Sequence, residues 1–80
     1  MNDELLSNIE RLHTTDMGIT RIKTNLGLDC DDVVAYCRNL ALSPEATIER
    51  RGKNWYVMAA GAIITINAHS YTIITAHREK

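Results

Sequence analysis

The last thirty residues constrain the fold most strongly, because β-branched and aromatic residues crowd this stretch and short turn signals interrupt it. The interruptions are Gly52-Lys53-Asn54, Ala60-Gly61 and residues 67–70. β-Branched and aromatic side chains favour strands, and glycine or asparagine between such runs marks tight turns. The pattern predicts an antiparallel meander with strands at about 46–51, 54–60, 62–67 and 71–78.

The first 45 residues show helical spacing of their apolar side chains instead. A first helix is predicted over residues 3–13, and Thr14-Thr15 is expected to interrupt it and to cap a second helix. Gly27 fits the end of that second helix. Asp29 is predicted to cap a third helix, with Asp31 and Asp32 in its first turn. Ser43-Pro44 would end the third helix near Leu42.

The order of these elements defines the predicted fold class. Helices followed by a run of strands are typical of an α+β protein, in which the helices pack on one face of an antiparallel sheet. We therefore predict about three short N-terminal helices on a C-terminal β-meander of three to four strands. The length of 80 residues fits a single domain, with a helical part over 1–45 and a sheet over 46–80.

The charge is distributed unevenly along the chain. Residues 1–46 carry four basic and eight acidic side chains, whereas residues 47–80 carry five basic and two acidic ones. The sheet is therefore the surface that could attract a polyanion such as RNA. The alternative is an ordinary charged surface that serves solubility.

The two cysteines and the hydropathy pattern suggest the cellular context. If Cys30 and Cys37 share one helix, they are expected to lie about 10 Å apart along its axis, which is too far for a disulfide. Reduced thiols are typical of a cytoplasmic protein. No signal peptide or membrane-spanning run is expected, and no metal or other cofactor is predicted.

Strand alternation assigns side chains to the two sheet faces, provided that Ala68-His69 is a two-residue turn. The more apolar face would then carry Ile64, Ile66, Tyr71, Ile73, Thr75 and His77. The other face would carry Thr65, Asn67, Ser70, Thr72, Ile74 and Arg78. A register slip of one residue would exchange the faces. Because three short helices cover only one face, Ile63 and Ile74 are predicted to contact another chain, as a homodimer or with a host protein.

Residues able to cleave RNA without a metal are concentrated in the sheet. Such cleavage needs a base for the 2′-hydroxyl, an acid for the leaving oxygen and a cation for the phosphate. His77 or His69 could act as acid or base, and Arg51 or Arg78 could hold the phosphate. For each histidine the alternative is a structural role at a turn or strand end.

A second set of residues suits nucleic-acid binding. Aromatic rings stack on bases and cations contact phosphates, which makes Lys53, Trp55, Tyr71 and Thr75 candidates. Alternatively, Trp55 is a core residue in a chain without phenylalanine. Residues 18–40 also have the spacing of a helix-turn-helix, with 48–57 as a wing. However, the aspartates at the start of its recognition helix would repel phosphates.

Several motifs resemble those of a family of short bacterial and phage proteins of uncharacterised function. They are Leu12-His-Thr-Thr, Arg21-Ile-Lys-Thr-Asn-Leu, Asp32-Val-Val, Gly52-Lys-Asn-Trp-Tyr-Val and Ser70-Tyr-Thr-Ile-Ile-Thr-Ala-His. This resemblance covers the full length of the chain and implies no activity.

A more distant resemblance, over residues 10–78, is to the barnase–EndoU–colicin–RelE group of small toxin-like domains. It implies N-terminal helices, a four-stranded antiparallel sheet and metal-independent RNase activity. It places His13, Arg21, Thr75 and His77 at positions where that group often uses functional residues. The main hypothesis is therefore a toxin-like or phage-type protein that cleaves or binds RNA. A phage or mobile-element inhibitor of a host protein is the alternative, and a winged-helix-like DNA binder is the third possibility.

Overall fold

A computed structural model describes residues 3–29 and 32–79, and it confirms the predicted α+β fold. The helices are α1 (Asp3–Ser7), α2 (Asp16–Leu26) and α3 (Val33–Leu42), with a 3₁₀ turn at Ile9–Arg11. The strands are β1 (Thr47–Arg51), β2 (Asn54–Ala59), β3 (Ala62–Asn67) and β4 (Ile73–Arg78). They form one antiparallel sheet in the order β1-β2-β3-β4, which is the predicted meander.

Two tight turns join the first three strands. The pair Arg51–Asn54 closes the turn Gly52-Lys53, in which Gly52 has a φ of 56°. The second turn consists of Ala60 and Gly61, whose φ angles are 51° and 74°. Positive φ at both central residues is the requirement of a type I′ hairpin turn, so alanine occupies a position that normally favours asparagine or glycine.

The second helix begins and ends as predicted. The Thr15 hydroxyl accepts a hydrogen bond from the Gly18 amide at 3.0 Å, and Gly27 adopts a left-handed conformation after the last turn. The predicted first helix is shorter than expected. Asn8 donates from its side chain to the Glu4 carbonyl, and its own amide turns to the Leu5 carbonyl. The side chain of Asn8 thus takes the carbonyl that its own amide would bond in a continuing α-helix. The α-helix ends there, and a 3₁₀ turn follows it.

The third helix has a different cap from the one predicted. Asp32, rather than Asp29, accepts the hydrogen bond from the Ala35 amide, at 3.0 Å. Several clustered aspartates could cap the helix from their sequence position. The cap is the aspartate that lies three residues before an amide without a helical partner, and in the structure this residue is Asp32. Ser43 follows the last turn, as predicted. The positions predicted for Asp31 and Cys30 lie outside the described residues, whereas Cys37 is buried in the core.

The helices cover one face of the sheet and enclose the core with it. Ile64, Ile66 and Ile73 are fully buried, and Ile48 packs at the margin of the core. The rings of Trp55 and Tyr71 pack against each other with centroids 5.2 Å apart.

On the opposite face, which we call the open face, every side chain is half-buried or exposed. It carries Glu49, Arg51, Asn54, Tyr56, Met58, Ile63, Thr65, Asn67, Ile74, Thr75 and His77.

A β-bulge in β4 corrects the predicted assignment of faces. Ile66 pairs with Ile73 whereas Thr65 pairs with Thr75, so Ile74 is an extra residue without a partner in the register. A bulge of one residue reverses the facing of every side chain that follows it. Thr75 and His77 therefore lie on the open face, and Arg78 lies on the helix side, the opposite of the prediction.

Candidate functional site

The candidate site lies at one end of the sheet, where two turns meet. The Ala68 amide donates to the Lys53 carbonyl at 2.8 Å, which joins the β3–β4 connection to the β1–β2 turn. Helix α1 approaches the same end. A pocket of about 250 Å³ lies among these elements. Its lining consists of Glu4, Arg50, Gly52, Lys53, Asn67, Ala68 and His69.

Three of the lining side chains, Arg50, Lys53 and His69, are basic or can become so, and a fourth, Glu4, is a carboxylate. Arg50 is the most firmly held of them: its Nε donates to the Gly52 carbonyl at 2.9 Å. Its guanidinium also lies over the ring of Trp55, with Cζ 5.5 Å from the centroid. Trp55 therefore acts as a buried support under a cation of the pocket. The pocket combines acid–base groups with cations, which suits a phosphodiester.

The turn that carries His69 is organised by one side chain. Oδ1 of Asn67 accepts hydrogen bonds from the amides of His69 and Ser70, both at 2.9 Å, and from the Ser70 hydroxyl at 3.2 Å. The backbone of Asn67 also pairs with Thr72 and Tyr71. Tyr71 has a φ of 61°, a strained value for a residue with a side chain. The connection is therefore a fixed loop and differs from the two-residue hairpin turn that we predicted.

A chain of hydrogen bonds extends from this turn to His13. The Ser70 and Thr72 hydroxyls are 2.7 Å apart, and Thr72 Oγ1 is 3.0 Å from His13 Nε2. His13 Nδ1 lies 2.9 Å from the Arg11 carbonyl, which can only accept, so Nδ1 carries a proton. The backbone of His13 also pairs with Tyr71 and Ile73 at the start of β4. His13 therefore braces the turn from outside the pocket.

The structure places the four residues predicted for catalysis in three different locations. His69 lines the pocket, together with Lys53 from the predicted binding set. Arg51 lies on the open face, where it forms an ion pair with Glu49 and contacts the Tyr56 ring. His77 is exposed on the same face, at the far end of the strand. Arg78 donates to the carbonyl of Leu26 at the end of α2.

The aromatic residues predicted to bind bases are core residues. The exposed fraction is 2% for Trp55 and 4% for Tyr71, so neither ring presents a surface on which a base could stack. Thr75 is half-buried on the open face, paired with Thr65 and away from the pocket. Of the predicted binding set, only Lys53 reaches the pocket.

Two charged residues of the pocket, Arg50 and Glu4, were missing from the prediction, as were Gly52, Asn67 and Ala68. Arg50 could have been found from the hairpin register, because a two-residue turn at Gly52-Lys53 pairs it with Trp55 and places it beside the core. Glu4 comes from α1, and its approach to the sheet depends on helix packing that leaves no local signal. Within residues 3–29 and 32–79, no group of three or more His, Cys, Asp or Glu side chains could hold a metal ion.

The sequence pattern of one protein family, described as a protein of unknown function (DUF3781), matches residues 6–77. The chain belongs to this DUF3781 family. The matched range includes Arg50, Lys53, Asn67 and His69, whereas Glu4 precedes it. No curated protein and no solved structure matches the chain. Across the described part of this DUF3781 member, no helix has both the length and the apolar character that crossing a bilayer requires.

The open face is a second surface with functional potential. Met58 and Ile63 are directly paired on it, and Ile63 also pairs with His77. Ile74, the bulged residue, is 40% exposed. Met58, Ile63 and Ile74 are therefore apolar side chains on the sheet face opposite the helices, and accessible apolar side chains are typical of contact surfaces.

Proposed function

We propose that this protein is an endoribonuclease that cleaves RNA in the pocket without a metal ion. The observation that carries the proposal is the common lining of the pocket by Glu4, Arg50, Lys53 and His69. Cleavage by the neighbouring 2′-hydroxyl needs one base, one acid and positive charge at the phosphate. These four side chains include all three kinds of group.

The proposed reaction assigns one role to each group. The Glu4 carboxylate takes the proton of the 2′-hydroxyl, and the oxygen then attacks the adjacent phosphorus. The bond from phosphorus to the 5′-oxygen breaks, and the imidazolium of His69 donates a proton to that oxygen. Arg50 and Lys53 stabilise the additional negative charge of the transition state. The products are a 2′,3′-cyclic phosphate and a free 5′-hydroxyl.

A cleavage assay with matched substrates tests this proposal. Micromolar protein in EDTA should cleave a labelled single-stranded RNA and leave 2′,3′-cyclic phosphate ends. The same sequence with a 2′-O-methyl group at every position should stay intact, because the attacking hydroxyl is blocked. The rate should fall at both pH extremes, since one group must be protonated and the other deprotonated. Intact RNA after prolonged incubation would contradict the proposal.

The second candidate function is a non-catalytic interaction through the open face. It is supported by the Met58–Ile63 pair and the exposed Ile74 on a sheet face without helices. The partner would be a second copy of the chain or a host protein. Loss of association in Ile63→Asp, with unchanged behaviour of a variant at the pocket, would separate this function from RNA cleavage.

The winged-helix alternative has the least support. Helix α3 would have to act as the recognition helix, yet its N-cap is Asp32 and it follows the exposed Asp29. Its basic residue, Arg38, is half-buried. A helix of this kind repels the DNA backbone where it should approach it. We therefore do not assign DNA binding to this protein.

A further inference from the structure

We infer that Asn67 is the positioning residue of the pocket, and that it acts by holding His69 in place for proton transfer. This inference rests on the proposed RNA cleavage. Asn67 has no acid–base chemistry of its own. Its side-chain amide oxygen instead fixes the position of the neighbouring His69.

The hydrogen bonds of Asn67 carry this inference. Its Oδ1 receives the amides of His69 and Ser70 together, so one atom fixes the direction of the backbone on both sides of the His69 side chain. The main-chain amide and carbonyl of Asn67 are engaged separately, with Thr72 and Tyr71. The side chain of Asn67 therefore restrains the His69 and Ser70 amides, which the backbone hydrogen bonds of Asn67 do not contact.

The neighbouring turn shows why such a support is required. Tyr71 stands at a φ of 61°, which is a conformation that costs free energy and persists only where surrounding contacts enforce it. Asn67 enforces it from one side through Ser70. From the other side, Thr72 and His13 hold the same segment through the hydroxyl chain. Loss of the Oδ1 contacts would free the amides of His69 and Ser70 and let His69 move away from the pocket.

Kinetics of three variants test this role. In Asn67→Ala, we expect kcat to fall about 10- to 100-fold, because small misplacements of a catalytic group have effects of this size. KM should change less than about threefold, since Arg50 in β1 and Lys53 in the β1–β2 turn bind the phosphate as before. Asn67→Asp keeps an acceptor oxygen, so it should recover most of kcat. Its negative charge near the phosphate should raise KM.

Asn54→Ala is the matched control. Asn54 pairs with Asn67 across β2 and β3 and shares its face, but it is not part of the pocket lining. We expect wild-type kcat and KM for this variant. An unchanged kcat in Asn67→Ala, or a raised KM at unchanged kcat, would overturn the inference, because Asn67 would then be inert or a binding contact.

Amide hydrogen exchange separates this inference from the proposed function. The His69 and Ser70 amides should exchange at least tenfold faster in Asn67→Ala than in Asn54→Ala, while core amides such as that of Ile64 stay protected. Unchanged exchange at His69 and Ser70 would overturn the positioning role even if the wild-type protein cleaves RNA. Faster exchange in a protein without RNase activity would uphold the restraint of His69 and reject the catalytic purpose that we assign to it.

Discussion

Arg78 donates a hydrogen bond from Nη2 to the main-chain carbonyl oxygen of Leu26, 2.7 Å away. Leu26 is the last residue of α2, so this carbonyl is one of those that an α-helix leaves without an internal partner. The bulge at Ile74 makes the contact possible, because it turns Arg78 to the helix side of the sheet. The last strand is thus connected to the end of the second helix.

The first prediction follows from this contact. Arg78→Ala should lower the free energy of unfolding by about 1 kcal/mol, because the carbonyl loses a charged donor at a partly buried position. Arg78→Lys should recover part of the loss. Thermal unfolding measures both changes, with Arg21→Ala on the exposed side of α2 as the control of equal charge. Equal stability of Arg78→Ala and Arg21→Ala would show that the contact contributes nothing.

The second prediction concerns Gly18 in the first turn of α2. A Cβ at this position would overlap the Thr14 hydroxyl, which donates to the Ile73 carbonyl at 2.8 Å. Gly18→Ala should therefore destabilise the protein by about 1–3 kcal/mol, as overpacking does. An alanine at an open helix position would instead stabilise it, by about 1 kcal/mol.

Chemical denaturation of the double variant checks the cause of this effect. In a Thr14→Ala background the obstructing hydroxyl is absent, so Gly18→Ala should cost much less than in the wild-type protein. The same cost in both backgrounds would mean that Thr14 is not the source of the clash.

The third prediction uses the strained alanine in the β2–β3 turn. Ala60 has a φ of 51° and precedes Gly61, so Ala60→Asn would create the Asn-Gly pair that type I′ turns prefer. We expect a gain of about 1 kcal/mol, the lower end of the cost of positive φ in a residue with a side chain. Ala60→Val should be destabilising, because a branched Cβ is still less compatible with this conformation. A lower melting temperature for Ala60→Asn than for wild type would argue against the assigned turn.

The fourth prediction concerns the open face. We expect the protein to associate through the open face, because Ile74 is 40% exposed and Ile63 is half-buried. Burial of the remaining apolar surface contributes at most about 1.5 kcal/mol for each side chain. Light scattering over a range of concentrations should show self-association, and both Ile63→Asp and Ile74→Asp should abolish it. Thr20→Asp, on the exposed side of α2, is the control. A wild-type protein that stays monomeric throughout the range would contradict self-association.

The sheet could be predicted from the sequence, but the bulge could not. Turn residues and alternating apolar residues define the first three strands, and their structure follows the prediction closely. In β4, however, Ile73 and Ile74 are both apolar, so either could face the core. The sequence pattern is equally compatible with a regular strand and with a bulged one. The choice depends on contacts with α2, which the strand itself does not encode.

The candidate site was predictable in part for a similar reason. The turns that carry Lys53 and His69 could each be found locally, and the pairing of β2 with β3 brings them together. Arg50 requires the hairpin register, and Glu4 requires the docking of α1. Trp55 and Tyr71 looked suitable for stacking on bases, yet the core of a chain without phenylalanine needs its large rings. The absence of phenylalanine from the chain therefore favours a core role for these rings over a base-stacking role.

Comparison of His69→Ala with His77→Ala in the RNA cleavage assay tests the central claim most directly. Both side chains are exposed histidines of the C-terminal sheet region, but only His69 lines the pocket among the described residues. We expect His69→Ala to reduce the cleavage rate at least about 100-fold, the loss typical for a general acid. His77→Ala should cleave at the wild-type rate, and both should melt within a few degrees of wild type. Full activity of His69→Ala, or equal loss in both variants, would contradict the account.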